Sequence, residues 1–212
     1  MMSALEHLDD PVLDPDTLKV PESPRHRSLA ELIALVGGHL LGAGWVVYRD
    51  MNWYPPDDQP AVAPDVMVLP VGTLGPDDRS YRQPENGPTP PVVVEIPSRS
   101  DDYLAMIDKV DRYRALGTTV YIVGVSPKAT TNTRQSPNDP SPTDWTGQPI
   151  PELGDLRLTG EGRRITAHTP SGDTTTSPED WIAHLHHRAD TANQRAEALE
   201  AQLRSLGIDP TA

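Results

Sequence analysis

The chain has 212 residues, a net charge of −13 and no Cys, and these properties already exclude several classes of protein. Its length and its 36% of hydrophobic residues suit one folded domain with appendages. The absence of Cys excludes disulfides, zinc–thiolate sites and cysteine nucleophiles. The acidic charge argues against a general nucleic-acid binder, because phosphate contacts need a basic surface.

Charge and composition divide the chain into three predicted parts. Residues 1–24 contain six acids and one Lys without an apolar run, which predicts a flexible acidic arm and not a signal peptide. Residues 25–176 are the predicted folded domain and carry a net charge of only −5. Residues 177–212 are predicted to be a C-terminal helix. No apolar run is long enough to span a membrane, so a cytoplasmic protein without a membrane partner is expected.

One helix and three short strands are predicted in the first part of the domain. Apolar residues at helical spacing predict an amphipathic helix over 27–41. They are Leu29, Leu32, Ile33, Val36, Leu40 and Leu41. A strand over 45–48 follows, and residues 52–54 are expected to extend it or to pair with it. A further strand is predicted over 62–69, and residues 71–91 are expected to form a polar loop.

The middle of the chain predicts a strand–helix–strand unit. Residues 92–96 are a continuous β-branched run that contains Glu95, and such a run is typical of a strand buried on both faces. A helix is predicted over 102–116, with Gly117 as its C-terminal cap, and another buried strand over 120–125. Short connections make this a right-handed unit with parallel strands, and therefore predict an α/β fold.

The last third of the chain predicts less regular structure. Residues 126–151 are rich in Pro, Thr, Ser and Asn and are expected to form a loop. Residues 156–158 and 164–167 flank two Gly and predict a hairpin. A helix from 179 to about 206 has a seam of apolar residues spaced like a short coiled coil, which predicts self-association as a homodimer. The seam consists of Ala192, Ala196, Leu199, Leu203 and Leu206.

Three charged residues are candidates for chemistry. Asp65 is expected inside an apolar strand after Pro64, Glu95 ends the most hydrophobic strand, and Lys109 lies on the following helix. A buried acid is costly unless it is paired or binds a cation. Two acids that converge from neighbouring strands would make a site of hard oxygen ligands, which suits Mg²⁺ or Mn²⁺. Asp65 and Glu95 are therefore the expected metal ligands.

The order of these residues resembles the Uma-type putative restriction endonuclease family of the PD-(D/E)XK nuclease superfamily. Pro64-Asp65 precedes a strand that ends in Glu95, as in that superfamily's motif. The family continues with a Ser-containing turn, a helix with Lys and then Tyr four residues on, a Gly, and a strand that leads to Pro. This chain follows that order in the segment EIPSRSDDYLAMIDKVDRYRALGTTVYIVGVSP. The ending LRSLGIDP also resembles a tail often attached to this family, and the resemblance covers roughly residues 28–206.

The position of the Lys separates this family from the rest of the superfamily. Pro97 stands where the superfamily's usual Lys would be, and the family carries its Lys on the following helix, where this chain has Lys109. Helical side chains lean toward the helix N-terminus, so Lys109 can reach back toward Glu95. Ala105 stands where the family often has an acid, and Arg99 stands where a Pro follows the first Ser.

The resemblance implies a restriction-endonuclease-like α/β fold, with a mixed central sheet flanked by helices and a C-terminal helical tail. It also implies an endonuclease, dependent on Mg²⁺ or Mn²⁺, that hydrolyses DNA phosphodiester bonds with Asp65, Glu95 and Lys109 as catalytic residues. The acidic charge and Ala105 favour an alternative, a catalytically weak or inactive nuclease-fold protein that acts as a binding or assembly module. A metal-dependent phosphoesterase with a smaller substrate also stays open.

Structural explanations stay open for each site residue. Asp65 suits a strand end beside Pro64. Glu95 suits a buried ion pair with an Arg. Lys109 has charged neighbours on its helix and suits a solvated face.

The remaining titratable residues are assigned to structure. Tyr113 is expected in the core with its apolar helical neighbours, and Glu31 is expected to be an exposed acid rather than an outer metal ligand. Three His near the C-terminus do not share one helix face and have no acid to complete a metal site, so they are expected at the surface. They are His184, His186 and His187.

Overall fold

The part of the chain that the computed structural model describes contains three α-helices and twelve strands. The described residues are 23–57, 59–75, 78–83, 85–97, 103–125, 130–136, 139–144, 147–161 and 164–209. In chain order the elements are α1 (Pro24–Leu41), β1 (Trp45–Arg49), β2 (Asn52–Tyr54), β3 (Val66–Pro70), β4 (Ser80–Arg82), β5 (Val92–Glu95), α2 (Tyr103–Ala115), β6 (Thr119–Val125), β7 (Thr130–Ser136), β8 (Asp139–Asp144), β9 (Pro149–Ile150), β10 (Leu156–Glu161), β11 (Arg164–His168), β12 (Thr174–Thr175) and α3 (Pro178–Ser205). Residues 1–22 of the predicted acidic arm lie outside the described residues.

A six-stranded sheet runs through the domain in the order β1-β3-β5-β6-β7-β8. Strands β5 and β6 are parallel and are connected through α2, while the other neighbours are antiparallel. The predicted strand–helix–strand unit is therefore confirmed, and so is the α/β fold with a mixed central sheet. A second sheet has the order β12-β11-β10-β9, which confirms the predicted hairpin in β10 and β11.

The two faces of the central sheet belong to two core clusters. Along β3 and β5 the even-numbered apolar residues pack in the cluster that contains α1, and the odd-numbered ones pack in the cluster that contains α2. Side chains alternate across a strand, so this parity is set by the sequence. Glu95 has odd parity and lies on the α2 face at the end of β5.

Helix α1 begins three residues earlier than the apolar pattern predicts, and its cap explains the difference. The Ser23 hydroxyl accepts a hydrogen bond from the backbone N–H of His26 at 3.2 Å. Pro24 occupies the first helical position, where the missing N–H costs nothing. The cap places His26 in the first turn of the helix.

Strand β3 is shorter than predicted and begins at Val66, so the expectation that Asp65 lies inside a strand is wrong. Val62 makes only an isolated bridge with Trp53. Pro64 has no N–H to give to a neighbouring strand, and the carboxylate of Asp65 bonds to backbone instead of projecting from a ladder. Asp65 is therefore the last residue before the strand.

Two expectations for residues 52–91 are also wrong. Strand β2 does not pair with β1; it pairs in parallel with β4, which forms within the segment expected to be a polar loop. The fully buried Trp53 and Tyr81 are partners in this small sheet. These two buried aromatic side chains anchor the segment to the core. The many polar residues around them made the segment resemble a loop in the sequence.

The expected loop over 126–151 is wrong as well, since β7, β8 and β9 lie within it. Strand β8 contains Pro140 and Pro142 and is the last strand of the central sheet. An edge strand tolerates Pro because it needs hydrogen bonds on one side only, and Thr-rich segments have good β propensity. Composition alone therefore misidentified an edge hairpin as a loop.

Helix α3 closes the described chain and agrees with the predicted helix to within one residue at each end. Its first turn packs on the domain through Trp181, which is 1% exposed. From His186 to Gln202 every residue except Thr191 is exposed, so this half of the helix projects from the domain. Within the described ranges, none of the helices combines the length and the apolarity that crossing a lipid bilayer requires.

Candidate active site

The two predicted acids meet at one end of the central sheet. In the pairing of β3 with β5, Val66 lies opposite Val94, and one further step of the same register places Asp65 opposite Glu95. The backbone N–H of Ile96 donates to Asp65 Oδ2 at 2.7 Å. Asp65 is 5% exposed and Glu95 is 1% exposed, so the structure holds two facing carboxylates almost out of water.

Lys109 reaches these acids from α2. Its Nζ donates to Glu95 Oε2 at 2.8 Å and to the carbonyl oxygen of Ala63 at 3.2 Å. The side chain is 31% exposed, whereas that of Glu95 is 2% exposed. These contacts contradict the interpretation of Lys109 as a solvated surface residue, and they make it the link between the buried acid and solvent.

Tyr113 also belongs to this group of residues. Its ring is buried and stacks on Trp53 with ring centroids 6.1 Å apart, as expected for a core residue. Its hydroxyl donates to Glu95 Oε1 at 2.7 Å, a contact that the sequence analysis missed. The signal was present: Lys109 and Tyr113 are four residues apart on a helix and therefore share one face.

His26 is the second residue that the sequence analysis missed. Its Nε2 lies 3.1 Å from Asp65 Oδ1, and its side chain is 9% exposed. The Ser23-Pro24 pair signals a helix start and so places His26 in a first turn. The distance in sequence between His26 and Asp65 gives no sign that the two residues touch.

The surroundings of the two carboxylates move their pKa values apart. Burial raises the pKa of Glu95 to about 7, and the nearby charge of Asp65 adds to this effect, while Lys109 and Tyr113 oppose it. Burial also acts to raise the pKa of Asp65, but the contacts with His26, Lys109 and the N–H of Ile96 outweigh it and leave the pKa lowered. Asp65 is thus the charged member of the pair, and Glu95 holds or loses its proton near neutral pH.

Tyr113 responds to the same environment. Burial, followed by the charge and the hydrogen bond of Glu95, raises its pKa well above the ordinary value. The phenol therefore keeps its proton and remains a hydrogen-bond donor to Glu95.

The donor set can be compared with what different metals require. Among the described residues, no group of three or more His, Cys, Asp or Glu lies close enough to hold a metal ion. A structural zinc site needs about four protein ligands and does not fit. Mg²⁺ binds through one or two carboxylates and keeps several waters, so the facing carboxylates of Asp65 and Glu95 fit this ion or Mn²⁺.

The other candidate residues lie apart from these contacts. Glu31 pairs with Arg49 at 3.5 Å and is 40% exposed, as expected for a surface acid. His184 is not a simple surface residue, since it stacks on Trp181 and lies 3.4 Å from Asp173. His186 and His187 are exposed, as expected.

The fold and the facing acids define a restriction-endonuclease-like α/β protein. A family model described as "Uma2: Putative restriction endonuclease" matches residues 16–159. This span is more than half of the chain, and it contains Asp65, Glu95, Lys109, Tyr113 and His26. The protein belongs to this family of nucleases.

A solved structure supports the same fold. The crystal structure of a protein described as a putative nuclease belonging to DUF820, from Anabaena variabilis, superposes with a TM-score of 0.51 at 12% sequence identity. The match covers 66% of this chain and 80% of that one. No curated protein sequence matches the chain. At this identity the similarity shows the shared fold alone.

Proposed function

We propose that the protein is a metal-dependent endonuclease that hydrolyses DNA phosphodiester bonds, with Asp65, Glu95 and Lys109 as its catalytic residues. The observation that carries the proposal is the contact of Lys109 with Glu95 at 2.8 Å, beside the facing carboxylate of Asp65. Membership of a nuclease family supports the reaction class.

Asp65 and Glu95 would hold one Mg²⁺ or Mn²⁺ ion. When bound, such an ion polarises the phosphate, lowers the pKa of an attacking water and stabilises the leaving oxygen. Asp65 has a lowered pKa and offers a carboxylate throughout the neutral range. The pKa of about 7 for Glu95 in the metal-free protein means that a metal ion competes with a proton for this carboxylate near neutral pH.

Lys109 supplies positive charge beside the scissile phosphate. About a third of its side chain is exposed, so its ammonium group can contact a bound substrate while it stays near Glu95. Charge that develops on the phosphate in the transition state is stabilised by a preorganised cation of this kind. Tyr113 and His26 hold the two carboxylates in place through the contacts described above.

A cleft beside α1 supplies basic groups that the acidic composition conceals. The cleft has a volume of about 420 Å³, and Arg25 and Arg164 are on its walls together with the hydroxyl residues Ser28 and Thr176. Arg25 is the residue that directly precedes His26 in the first turn of α1. Two guanidinium groups suit a phosphodiester backbone, which supports DNA as the substrate.

A cleavage assay tests the proposal. Purified protein is incubated with linear and supercoiled DNA and with a small soluble phosphodiester, in the presence of Mg²⁺, Mn²⁺ or a chelator. We expect DNA cleavage that requires the metal and is abolished by Glu95→Gln, while the exposed control Glu31→Gln cleaves normally. Cleavage that survives Glu95→Gln or the chelator would overturn the proposal, and turnover of the small phosphodiester alone would identify the phosphoesterase alternative.

The exposed half of α3 favours a second candidate role. A catalytically weak or inactive nuclease-fold domain could act as a binding or assembly module and form a homodimer through this helix. Ala105 and the net charge of −13 support this candidate.

A further inference from the structure

The apolar residues of α3 form a continuous stripe at coiled-coil spacing. The predicted seam from Ala192 to Leu206 has intervals of four, three, four and three residues. The same spacing continues toward the start of the helix through Ala189, Leu185 and Ile182. Every position of the stripe is therefore Ala, Leu or Ile, which is the repeat of an a/d seam in which a second helix packs.

The outer half of this stripe faces solvent. Leu199 is 60% exposed and Leu206 is 73% exposed, whereas Leu185 packs against the domain core. Exposure of Leu199 and Leu206 on one line with the half-buried Leu203 is unfavourable in water, and burial against an apolar surface of the same repeat would remove this cost. The domain anchors the first turns of α3 and leaves the residues from 192 onward for a partner.

The charges beside the seam identify the partner as a second copy in parallel orientation. Arg195 and Glu200 flank the seam on opposite sides and are five residues apart, which is the spacing of a g position and the next e position. In a parallel pair, each Arg195 faces Glu200 of the other copy. An antiparallel pair instead brings g beside g and e beside e, so that Arg195 faces Arg188, Gln202 or another Arg195.

We propose that residues 192–206 of α3 form a parallel, in-register two-stranded coiled coil with the same helix of a second copy. The inference rests on the assembly role proposed above and is independent of the chemistry at Glu95. Because α3 enters from the domain at its N-terminal end, the two domains lie at the same end of the coiled coil. Its short length makes the dimer dependent on protein concentration.

The absence of Cys in the chain permits a direct test of orientation. Single substitutions Ala192→Cys and Leu203→Cys place a thiol in the seam at positions about 16 Å apart along the helix. Ala201→Cys places one on the opposite, exposed face as a control. Each full-length variant is oxidised at several protein concentrations, and disulfide-linked dimer is measured on a non-reducing gel.

A parallel, in-register pair predicts that both seam variants cross-link with themselves, at least tenfold faster than the Ala201→Cys control. An antiparallel pair would cross-link a mixture of the two seam variants and would link neither one efficiently with itself. Cross-linking of all three variants at equal rates would mean that α3 does not pair. Either of these results overturns the proposal.

A charge exchange provides a second measurement. Arg195→Glu should weaken the dimer roughly fivefold by sedimentation equilibrium, because it places two like-charged pairs in the complex. Arg195→Glu combined with Glu200→Arg should restore association. Glu197→Arg, outside the seam, is the control. DNA cleavage measured on the same preparations reports separately on the proposed nuclease, so failure of the dimer and failure of the nuclease are distinguishable.

Discussion

Glu95 is held by two donors of different character. Lys109 is a cation that is partly in water, and Tyr113 is a neutral phenol in the core. Both contacts favour the charged form of Glu95, yet burial outweighs them and keeps the pKa near 7. Burial therefore destabilises the charged form of Glu95, and a bound cation would offset this desolvation cost.

The raised pKa of Glu95 gives the metal-free protein a defined pH dependence. The unfolded chain loses this proton near pH 4.5 and the folded chain near pH 7. Between these values the folded state binds more protons, so the free energy of unfolding falls as the pH rises through the window. The fall amounts to about 3 kcal/mol from this group.

The Glu95→Gln variant has no titratable group at this position, so its free energy of unfolding should not show this fall. We expect equal unfolding free energies for the two proteins below pH 4.5 and a more stable variant above pH 7. Urea unfolding at a series of pH values, with a chelator present, measures the difference. The lowered pKa of Asp65 acts in the opposite direction at acid pH and is common to both proteins. Parallel curves across the window would contradict the prediction.

Lys109→Ala should lower the cleavage rate much more than metal affinity. The proposed role of Lys109 is to stabilise charge in the transition state, and loss of such a group typically costs on the order of a hundredfold in rate. Single-turnover cleavage and calorimetric Mn²⁺ binding separate the two effects. Both are measured over a series of pH values above 7, because loss of Lys109 raises the pKa of Glu95 further. Arg114→Ala removes a cation from the same helix and serves as the control.

The sequence predicted part of this site. Asp65, Glu95 and Lys109 could be identified because an acid in an apolar segment is costly and because helical side chains lean back toward the preceding strand. The contact of His26 with Asp65 could not be predicted, because it depends on how α1 packs on the sheet. No local sequence pattern indicates that packing. The hydrogen bond from the Tyr113 hydroxyl to Glu95 was not predicted, because packing ordinarily accounts for a buried Tyr.

Among the helices and strands, the sequence-based predictions were correct where the apolar composition and the spacing of apolar residues indicate the same type of element. Strands β5 and β6 and helix α2 have continuous apolar or helical patterns, and their bounds are within two residues of those expected. The hairpin of β7 and β8 was missed, because β8 is the edge strand of the central sheet and the sequence of the pair is rich in polar residues and Pro, which are also typical of a loop. Strand β2 was predicted, but its pairing and strand β4 were missed because the two paired segments are far apart in the chain.

The N-terminal cap of α1 connects an element to the site. Ser23→Ala removes the acceptor for the N–H of His26 and should cost about 1 kcal/mol of stability. Fraying of that first turn moves His26 away from Asp65, so cleavage should fall more than the stability change alone explains. Thermal unfolding and DNA cleavage are measured on the same samples.

Ser177→Ala is a matched control for this prediction. Ser177 caps α3 in the same way, through the N–H of Asp180 at 3.0 Å, and its loss should cost a similar amount of stability. Helix α3 carries none of the proposed catalytic residues, so cleavage should be unchanged below the melting temperature. Equal losses of cleavage in both variants would show that the cap acts through global stability only.

At the scale of the whole molecule, a charge of −13 must be reconciled with the polyanionic substrate that we propose. Arg164→Glu reverses one wall of the cleft beside α1 and should weaken DNA binding several-fold, with a salt dependence reduced by about one phosphate contact. Arg157→Glu, an exposed position on the neighbouring strand β10, makes the same change in net charge. Fluorescence anisotropy with labelled DNA at several salt concentrations compares the two, and equal weakening would remove the cleft from the binding surface.

The stacking of Trp53 on Tyr113 has an optical consequence. The indole lies one side chain away from Glu95, because Tyr113 touches both groups. A proton or a cation that arrives at Glu95 changes the hydrogen bond of the phenol and with it the electric field at the indole. The chain has four Trp, so a variant that keeps Trp53 as its single Trp should follow the occupancy of the acid pair by its emission, in real time and without any label.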